Sequence, residues 1–213
     1  MKVVCISDTH GLHKTMHHSM PKGDILCVAG DITNVGKRDD VESFGAWLSK
    51  LPYEKKFVIA GNHDWCFQNS GKKKAPQWLM KDESIIYLQD SYYIYKGLKI
   101  YGSPWQPRFY DWAFNVDRGH KIREKWKLIP DDTDILITHG PPAGILDLVP
   151  FSGSRPGCVD LLDRVIEVRP KLHVFGHTHH EHGTYERGST IYVNAAVCNE
   201  KYTPNRKPIV VEI

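Results

Sequence analysis

Several signals that would assign a chain of 213 residues to a specialised class are missing from this sequence. No apolar run approaches the length of a membrane span, so we expect no contact with a membrane. The five cysteines are odd in number and include no Cys-x-x-Cys pair, which favours free thiols over a disulfide framework. A strand is predicted directly after Met1 and Lys2, which leaves no room for a signal peptide. We therefore expect a reduced, cytoplasmic protein.

A strong excess of either charge is also missing. The formal net charge of +3 permits an anionic substrate but does not indicate a surface for duplex nucleic acid. The only dense basic run, 72–74, is expected to be a solvated loop. Three histidines outside the motifs described below are expected on the surface: His13, His17 and His18. No internal repeat and no linker occurs, so we expect one domain over residues 1–213, with homo-oligomerisation left open.

The sequence does contain one pattern that occurs five times, a short apolar run followed by Gly or His and a residue that can bind a metal. The polar segments are 7–10, 30–31, 61–64, 138–140 and 176–179. Each apolar run predicts a short buried strand. Ligands of open α/β sheets bind just beyond the carboxyl ends of strands, so we expect the five segments to converge on one site.

Helices are predicted between these strands. One begins near Asp39 and carries Val41, Phe44, Leu48 and Leu51 on one face. A later helix is predicted to contain the apolar residues Val159, Leu162, Val165 and Ile166 and to stop before Pro170. Alternating helices and parallel strands, with hairpins between them, predict two packed sheets with helices outside.

The five segments together hold enough ligands for two metal ions that share a carboxylate. Asp31 stands alone after its strand and is the natural bridge between the ions. One ion would take Asp8, His10, Asp31 and His179. The other ion would take Asp31, Asn62, His139 and His177. With neutral histidines and a bridging hydroxide, two divalent ions leave a small positive charge that suits a phosphate oxygen.

The chemistry of these ligands limits the choice of metal. Several imidazoles beside carboxylate and amide oxygens favour Mn, Fe, Co, Ni or Zn over Mg or Ca. We expect two divalent transition-metal ions, with manganese first and iron, zinc, cobalt or nickel as alternatives.

In this order, the five motifs resemble the full motif set of the calcineurin-like metallophosphoesterases. The chain is also similar to the metallophosphoesterase-domain branch of that superfamily, through segments 105–107, 111–115, 139–142, 169–176 and 194–195. The resemblance implies an α/β/β/α sandwich of two mixed sheets with outer helices. It also implies a dinuclear centre that hydrolyses small phosphodiesters by attack of a metal-bridging hydroxide. Two other functions stay open, a phosphomonoesterase and a non-catalytic scaffold such as the retromer subunit of this fold.

His63 and Asp64 are predicted to be catalytic. His63 adjoins the ligand Asn62, and Asp64 could orient its ring. Attack on a phosphodiester expels an alkoxide, which needs a proton that His63 would supply.

Substrate contacts are predicted for Asn62, His63, Trp105 and Arg155. Four aromatic residues lie in or just after loops expected to rim the site: Trp65, Trp105, Phe109 and Tyr110. Arg108 and Arg155 lie in long loops that could reach a phosphate. Because aromatic faces stack on bases, we hypothesise a small nucleotide-type diester, such as a cyclic nucleotide, and no duplex nucleic acid. The alternative, that these aromatic residues close a small local core, stays open.

Overall fold

A computed structural model describes the backbone of residues 1–213 and the side chains of residues 1–16, 20–70 and 74–213. The strands are β1 (Lys2–Ile6), β2 (Ile25–Val28), β3 (Lys55–Val58), β4 (Ile85–Tyr87), β5 (Ser91–Tyr95), β6 (Leu98–Ser103), β7 (Gln106–Pro107), β8 (Asn115–Val116), β9 (Ile135–Thr138), β10 (Leu172–Phe175), β11 (Gly183–Arg187), β12 (Thr190–Asn194) and β13 (Ile209–Glu212). The helices are α1 (Arg38–Leu48), α2 (Trp65–Asn69), α3 (Gly71–Leu79), α4 (His120–Trp126) and α5 (Val159–Val168), with a 3₁₀ helix over His13–Ser19.

Eleven of these strands form two mixed sheets, and β7 and β8 pair in parallel as a separate two-stranded sheet. The first has the order β13-β1-β2-β3-β4, and the second has the order β11-β12-β10-β9-β6-β5. Strands β1 to β4 run parallel to one another, as do β6, β9, β10 and β12, while β13, β11 and β5 pair antiparallel at the edges. The parallel strands of each sheet therefore share one carboxyl edge, where the polar segments follow them.

Three apolar cores define the layers. Residues such as Cys5, Phe57 and Val174 lie between the two sheets. The outer face of the first sheet packs on helices through residues such as Phe44 and Leu79. The outer face of the second sheet packs on α4 and α5 through a cluster of buried residues that includes Trp126, Leu161 and Val165. The predicted α/β/β/α sandwich is confirmed.

Both of these predicted helices form. Helix α1 buries Val41, Phe44 and Leu48, as predicted. The later helix is α5, which ends before Pro170, buries Leu161, Val165 and Val168, and exposes Val159 and Ile166. Two apolar stripes with helical spacing run along α5, and its packing decides which of them is buried.

Two smaller predictions fail. His13 is buried, with its ring edge-on to Phe44 and Nε2 at 3.2 Å from Ser43 Oγ, so it is not a surface residue. The basic run at 72–74, predicted to be a loop, falls within the bounds of α3. The side chains of His17, His18, Lys72 and Lys73 lie outside the described residues. In the part of the chain that the structure describes, no helix has the length and apolar character needed to cross a membrane.

Candidate metal centre

The polar segments after five parallel strands meet where the two sheets face each other. Segments after β1, β2 and β3 supply Asp8, His10, Asp31 and Asn62 from the first sheet. Segments after β9 and β10 supply His139, His177 and His179 from the second sheet. All seven side chains predicted as ligands are thus brought together by the two carboxyl edges.

One group of ligand atoms comes from Asp8, His10 and His179, whose donor atoms lie within 4.8 Å of one another. His179 Nε2 lies 3.2 Å from Asp8 Oδ1 and 3.3 Å from His10 Nε2. Asp31 Oδ2 is 3.9 Å from His10 Nε2, so the aspartate reaches this group as well.

A second group comes from Asp31, His139 and His177, again with donor atoms within 4.8 Å. His139 Nε2 lies 3.3 Å from Asp31 Oδ2. Asn62 Oδ1 lies between the two imidazoles, 2.9 Å from His139 Nε2 and 2.9 Å from His177 Nδ1. Because Asp31 faces both groups, it occupies the position of a bridge.

The hydrogen bonds behind the histidines test whether cations fit here. His139 Nδ1 lies 2.8 Å from the carbonyl oxygen of Ala29, and His179 Nδ1 lies 3.0 Å from that of Asn199. Each Nδ1–H therefore donates to a carbonyl, and each Nε2 faces into the site. There the two nitrogens meet the oxygens of Asp31, Asn62 and Asp8. Atoms crowded in this way, each able to offer an electron pair, fit divalent cations.

The electrostatics of the site lead to the same inference. Burial lowers the pKa of His177 to about 3, helped by the neighbouring His139, and burial lowers the pKa of His10 to about 4. Both rings are thus held neutral, which is the state that binds metal. Burial opposes the charge on His139 too, but the carboxylate of Asp31 outweighs it and raises the pKa of His139 to about 9. A metal ion would take the place of that proton.

The backbone is unusual at four of the ligands. Asp8, His10, Asp31 and His177 have φ angles of 55°, 44°, 50° and 65°, in the left-handed region that non-glycine residues seldom adopt. Such conformations persist only where the surrounding structure over-determines them. Here the backbone N–H of His10 donates to the Asp31 carbonyl at 3.0 Å, and the N–H of Asp8 donates to that of Gly30 at 3.0 Å.

Two glycines allow the loops to approach one another. A Cβ at Gly61 would overlap Asp31 Oδ1 and the Asp31 backbone nitrogen. A Cβ at Gly176 would overlap Asp8 Oδ2 and Ser7 Oγ. These motif glycines are therefore required by close packing around the ligands.

The structure places His63 beside the ligands, with Nε2 at 4.0 Å from Asp31 Oδ2. Its Nδ1 lies 2.7 Å from the carbonyl oxygen of Asn34, and its ring stacks on Trp112 with centroids 4.1 Å apart. His63 also belongs to a group with His10 and Asp31 that could hold a metal, so a ligand role has a geometric basis.

Asp64 does not hold the His63 ring, and that part of the prediction is corrected. Its carboxylate accepts the backbone N–H groups of Gly61 at 2.8 Å, Thr33 at 3.0 Å and Ile32 at 3.2 Å, and the Thr33 hydroxyl at 2.8 Å. Both carboxylate oxygens thus accept hydrogen bonds from the two loops. Asp64 is fully buried and links two segments that carry predicted ligands.

A cavity of about 330 Å³ opens in front of the ligand groups. It is lined by Asp31, Asn62, His63, Phe109, Val149, Ser154, Pro156, His177, Thr178, His179, His180, Glu200 and Tyr202. Of the predicted substrate contacts, Asn62 and His63 line it, while Trp105 and Arg155 do not. Arg155 lies between two lining residues, but its guanidinium is bound to the buried Asp147 at 2.8 Å.

Of the aromatic and arginine residues expected to rim the site, Phe109 lines the cavity, and the others are held elsewhere. Trp105 Nε1 donates to Asp90 at 2.8 Å, and the ring packs against both helix-facing cores. Trp65 packs on the core beneath the first sheet, and Arg108 pairs with Asp117 at 2.9 Å. Tyr110 contacts the ring of Phe109 at 4.8 Å and does not line the cavity.

Tyr202 lines the cavity but was missed from the sequence. It follows β12, which runs parallel to β9 and β10, so the chain leaves β12 at the same edge as the ligands. The direction of β12 is the signal that would have found it, and the sequence of a short strand does not reveal its direction.

Comparisons with known proteins agree with this geometry. The model of the family described as calcineurin-like phosphoesterase matches residues 1–181. The chain is 47% identical to human metallophosphoesterase domain-containing protein 1, covering 100% of this chain and 71% of the human protein.

Solved structures share the fold. One is a phosphopantetheinyl hydrolase from Mycobacterium tuberculosis, with a TM-score of 0.64 and 15% identity over 99% of this chain and 95% of that one. Another is an archaeal phosphodiesterase, with a TM-score of 0.51 and 15% identity over 100% of both chains.

Proposed function

The chain belongs to the calcineurin-like phosphoesterase family, and from that premise we propose that it is a dinuclear metal-dependent phosphodiesterase acting on small diesters. The observation that carries the proposal is the convergence of seven ligand-type side chains, with their nitrogen and oxygen atoms facing one another, in front of an open cavity.

Two divalent ions would be held by the two ligand groups, with Asp31 shared between them. Bound there, they would supply positive charge to the phosphate oxygens and lower the pKa of the water that attacks phosphorus. Imidazole nitrogens together with carboxylate and amide oxygens suit transition metals, and manganese is the ion to load first, before iron, zinc, cobalt or nickel.

His63 would deliver a proton to the leaving oxygen. Its Nδ1–H donates to the Asn34 carbonyl, which leaves Nε2 to carry and release the proton on the cavity side. The stacked ring of Trp112 keeps the imidazole from rotating away.

The charge of the lining favours a diester over a monoester. No lysine or arginine is among the described residues that line the cavity, and the lining includes the carboxylate of Glu200, which lies 4.0 Å from the Arg206 guanidinium outside the lining. A monoester carries a second negative charge that would have no partner outside the metal groups, whereas a diester carries one charge and two neutral substituents. Cyclic nucleotides are diesters of this kind.

The test compares bis-p-nitrophenyl phosphate with p-nitrophenyl phosphate as substrates of the Mn-loaded, chelated and reloaded protein. We expect the higher kcat/KM for the diester, loss of turnover on chelation and recovery on reloading. Faster turnover of the monoester would replace the proposal with a phosphomonoesterase. Absence of turnover with two ions bound per chain would replace it with a scaffold.

A further inference from the structure

Two exposed aromatic rings line the cavity from distant parts of the chain. Phe109 lies in the loop between β7 and β8, and Tyr202 lies in the loop after β12. Their exposed fractions are 41% and 48%, although large aromatic side chains are usually buried. Exposed apolar surface that lines a ligand-binding cavity indicates contact with a ligand.

Each ring adjoins a different ligand group. Phe109 meets His177 edge-on, with ring centroids 5.1 Å apart. Tyr202 meets His10 at 4.7 Å and His179 at 5.2 Å, both also edge-on. A phosphate bound between the two groups would therefore have one aromatic ring beside each of them.

Tyr202 is held in place by a closed loop of five residues. Asn199 Oδ1 accepts the backbone N–H of Lys201 at 2.9 Å and of Thr203 at 3.0 Å, and the Tyr202 N–H donates to the Asn199 carbonyl at 2.9 Å. This network maintains Tyr202 at a φ of 57°, which is unfavourable for a bulky side chain. The same Asn199 carbonyl accepts the Nδ1–H of His179, so one loop orients a metal ligand and positions the tyrosine.

The two arginines nearest the lining residues already have partners. Arg155 is bound to Asp147, and Arg206 donates to the carbonyl of His179, so neither is left for a second phosphate. Glu200 precedes Tyr202 by two positions, lines the cavity, and lies 4.0 Å from the Arg206 guanidinium. An uncharged group suits this part of the cavity, and N–H donors on its edge would suit the carboxylate of Glu200.

We propose that Phe109 and Tyr202 form a binding subsite for a planar, uncharged substituent of the diester. The proposal rests on the phosphodiesterase function proposed above. A nucleobase and a simple aryl group share this chemistry, since every planar π-system can stack on an aromatic side chain.

The test uses three diesters with one leaving group, the p-nitrophenyl esters of methyl phosphate, phenyl phosphate and thymidine 5′-phosphate. Tyr202→Leu and Phe109→Leu keep an apolar side chain and remove the aromatic face. Tyr185→Leu is the matched control, because Tyr185 is also 48% exposed but lies on β11, outside the cavity lining.

In the wild type we expect a higher kcat/KM for the phenyl and thymidine esters than for the methyl ester. Tyr202→Leu should lower kcat/KM for the planar esters by on the order of tenfold, as expected for the loss of one stacking partner. The loss for the methyl ester should be several-fold smaller, the Mn content should not change, and Tyr185→Leu should match the wild type. If kcat/KM is higher for the thymidine ester than for the phenyl ester and Glu200→Gln removes that difference, the subsite recognises a nucleobase. If kcat/KM is equal for these two esters, the subsite accepts any aryl group.

Equal losses for all three esters, with metal still bound, would overturn the subsite while leaving the phosphodiesterase intact. A binding measurement separates the two proposals. Calorimetry on Mn-loaded protein compares thymidine 5′-phosphate with methyl phosphate in the wild type and Tyr202→Leu. Tighter binding of the nucleotide that Tyr202→Leu abolishes supports the subsite even if no diester is turned over, and equal binding of both ligands refutes it.

Discussion

His63→Asn should lower kcat by an amount that depends on the leaving group. The imidazole is fixed by its hydrogen bond to Asn34 and presents Nε2 to the cavity, and the contribution proposed for it is proton transfer to the departing oxygen. General acids of this kind contribute about 10²- to 10⁴-fold. Phenolate is a more basic and poorer leaving group than p-nitrophenolate, so its departure depends more on receiving a proton. We therefore expect a loss in this range for methyl phenyl phosphate and a much smaller loss for methyl p-nitrophenyl phosphate.

Substitution of Trp112, which stacks on His63, should lower kcat less than substitution of His63 itself. An aromatic pair of this geometry contributes about 0.5–1.5 kcal/mol beyond its burial. If Trp112→Leu removes that stabilisation from the productive orientation of the His63 ring, the population of this orientation falls by about 2- to 13-fold. The loss should show the same dependence on leaving group as His63→Asn.

The assay measures kcat for both methyl esters together with bound Mn per chain. His120→Asn is the control, since that side chain is 85% exposed on α4. Equal losses for both leaving groups with full metal content would refute proton donation. Loss of Mn from His63→Asn, with activity restored by excess Mn, would make His63 a metal ligand, as its grouping with His10 and Asp31 allows.

Three further outcomes follow from the geometry. Asp31→Ala removes a ligand from both groups, so turnover should be abolished and metal analysis should find fewer than two ions per chain; normal activity with two ions bound would contradict a bridging role. Gly176→Ala places a Cβ against Asp8 Oδ2 and should lower Mn content, whereas Gly140→Ala, whose Cβ would meet only Gln106 Cβ at 3.5 Å, should retain it; equal metal contents would contradict the packing argument. Asp64→Asn weakens the carboxylate's hydrogen bonds to Gly61 and Thr33, and urea denaturation should show a free energy of unfolding lower by about 1.5–3 kcal/mol; unchanged stability would contradict its linking role.

The strand-end pattern predicted the fold and the ligand cluster because both depend on local sequence. An apolar run followed by a ligand residue marks the carboxyl end of a buried strand, and parallel strands bring those ends to one edge. The packing of two sheets against each other then follows from their apolar faces.

The partners of side chains in long loops could not be predicted in the same way. Trp105 and Arg155 have side chains that could contact a substrate, but in the structure they donate hydrogen bonds to Asp90 and Asp147. His63 is oriented by Asn34, which is 29 positions away, and not by the adjacent Asp64. Such pairings depend on how loops cross in space, which spacing along the chain does not encode.

The distribution of the ligands along the chain has a consequence for biosynthesis. Asp8 and His179 meet in one ligand group although 171 positions separate them. At typical rates of translation, His179 leaves the ribosome roughly ten to thirty seconds after Asp8. During that time the nascent chain lacks the imidazoles of the second sheet, and its exposed ligands are largely the carboxylates and amides that hard cations such as magnesium prefer. The ligand set proposed for two transition-metal ions is complete only when the second sheet has formed, so under that proposal metal selection would be a property of the finished chain.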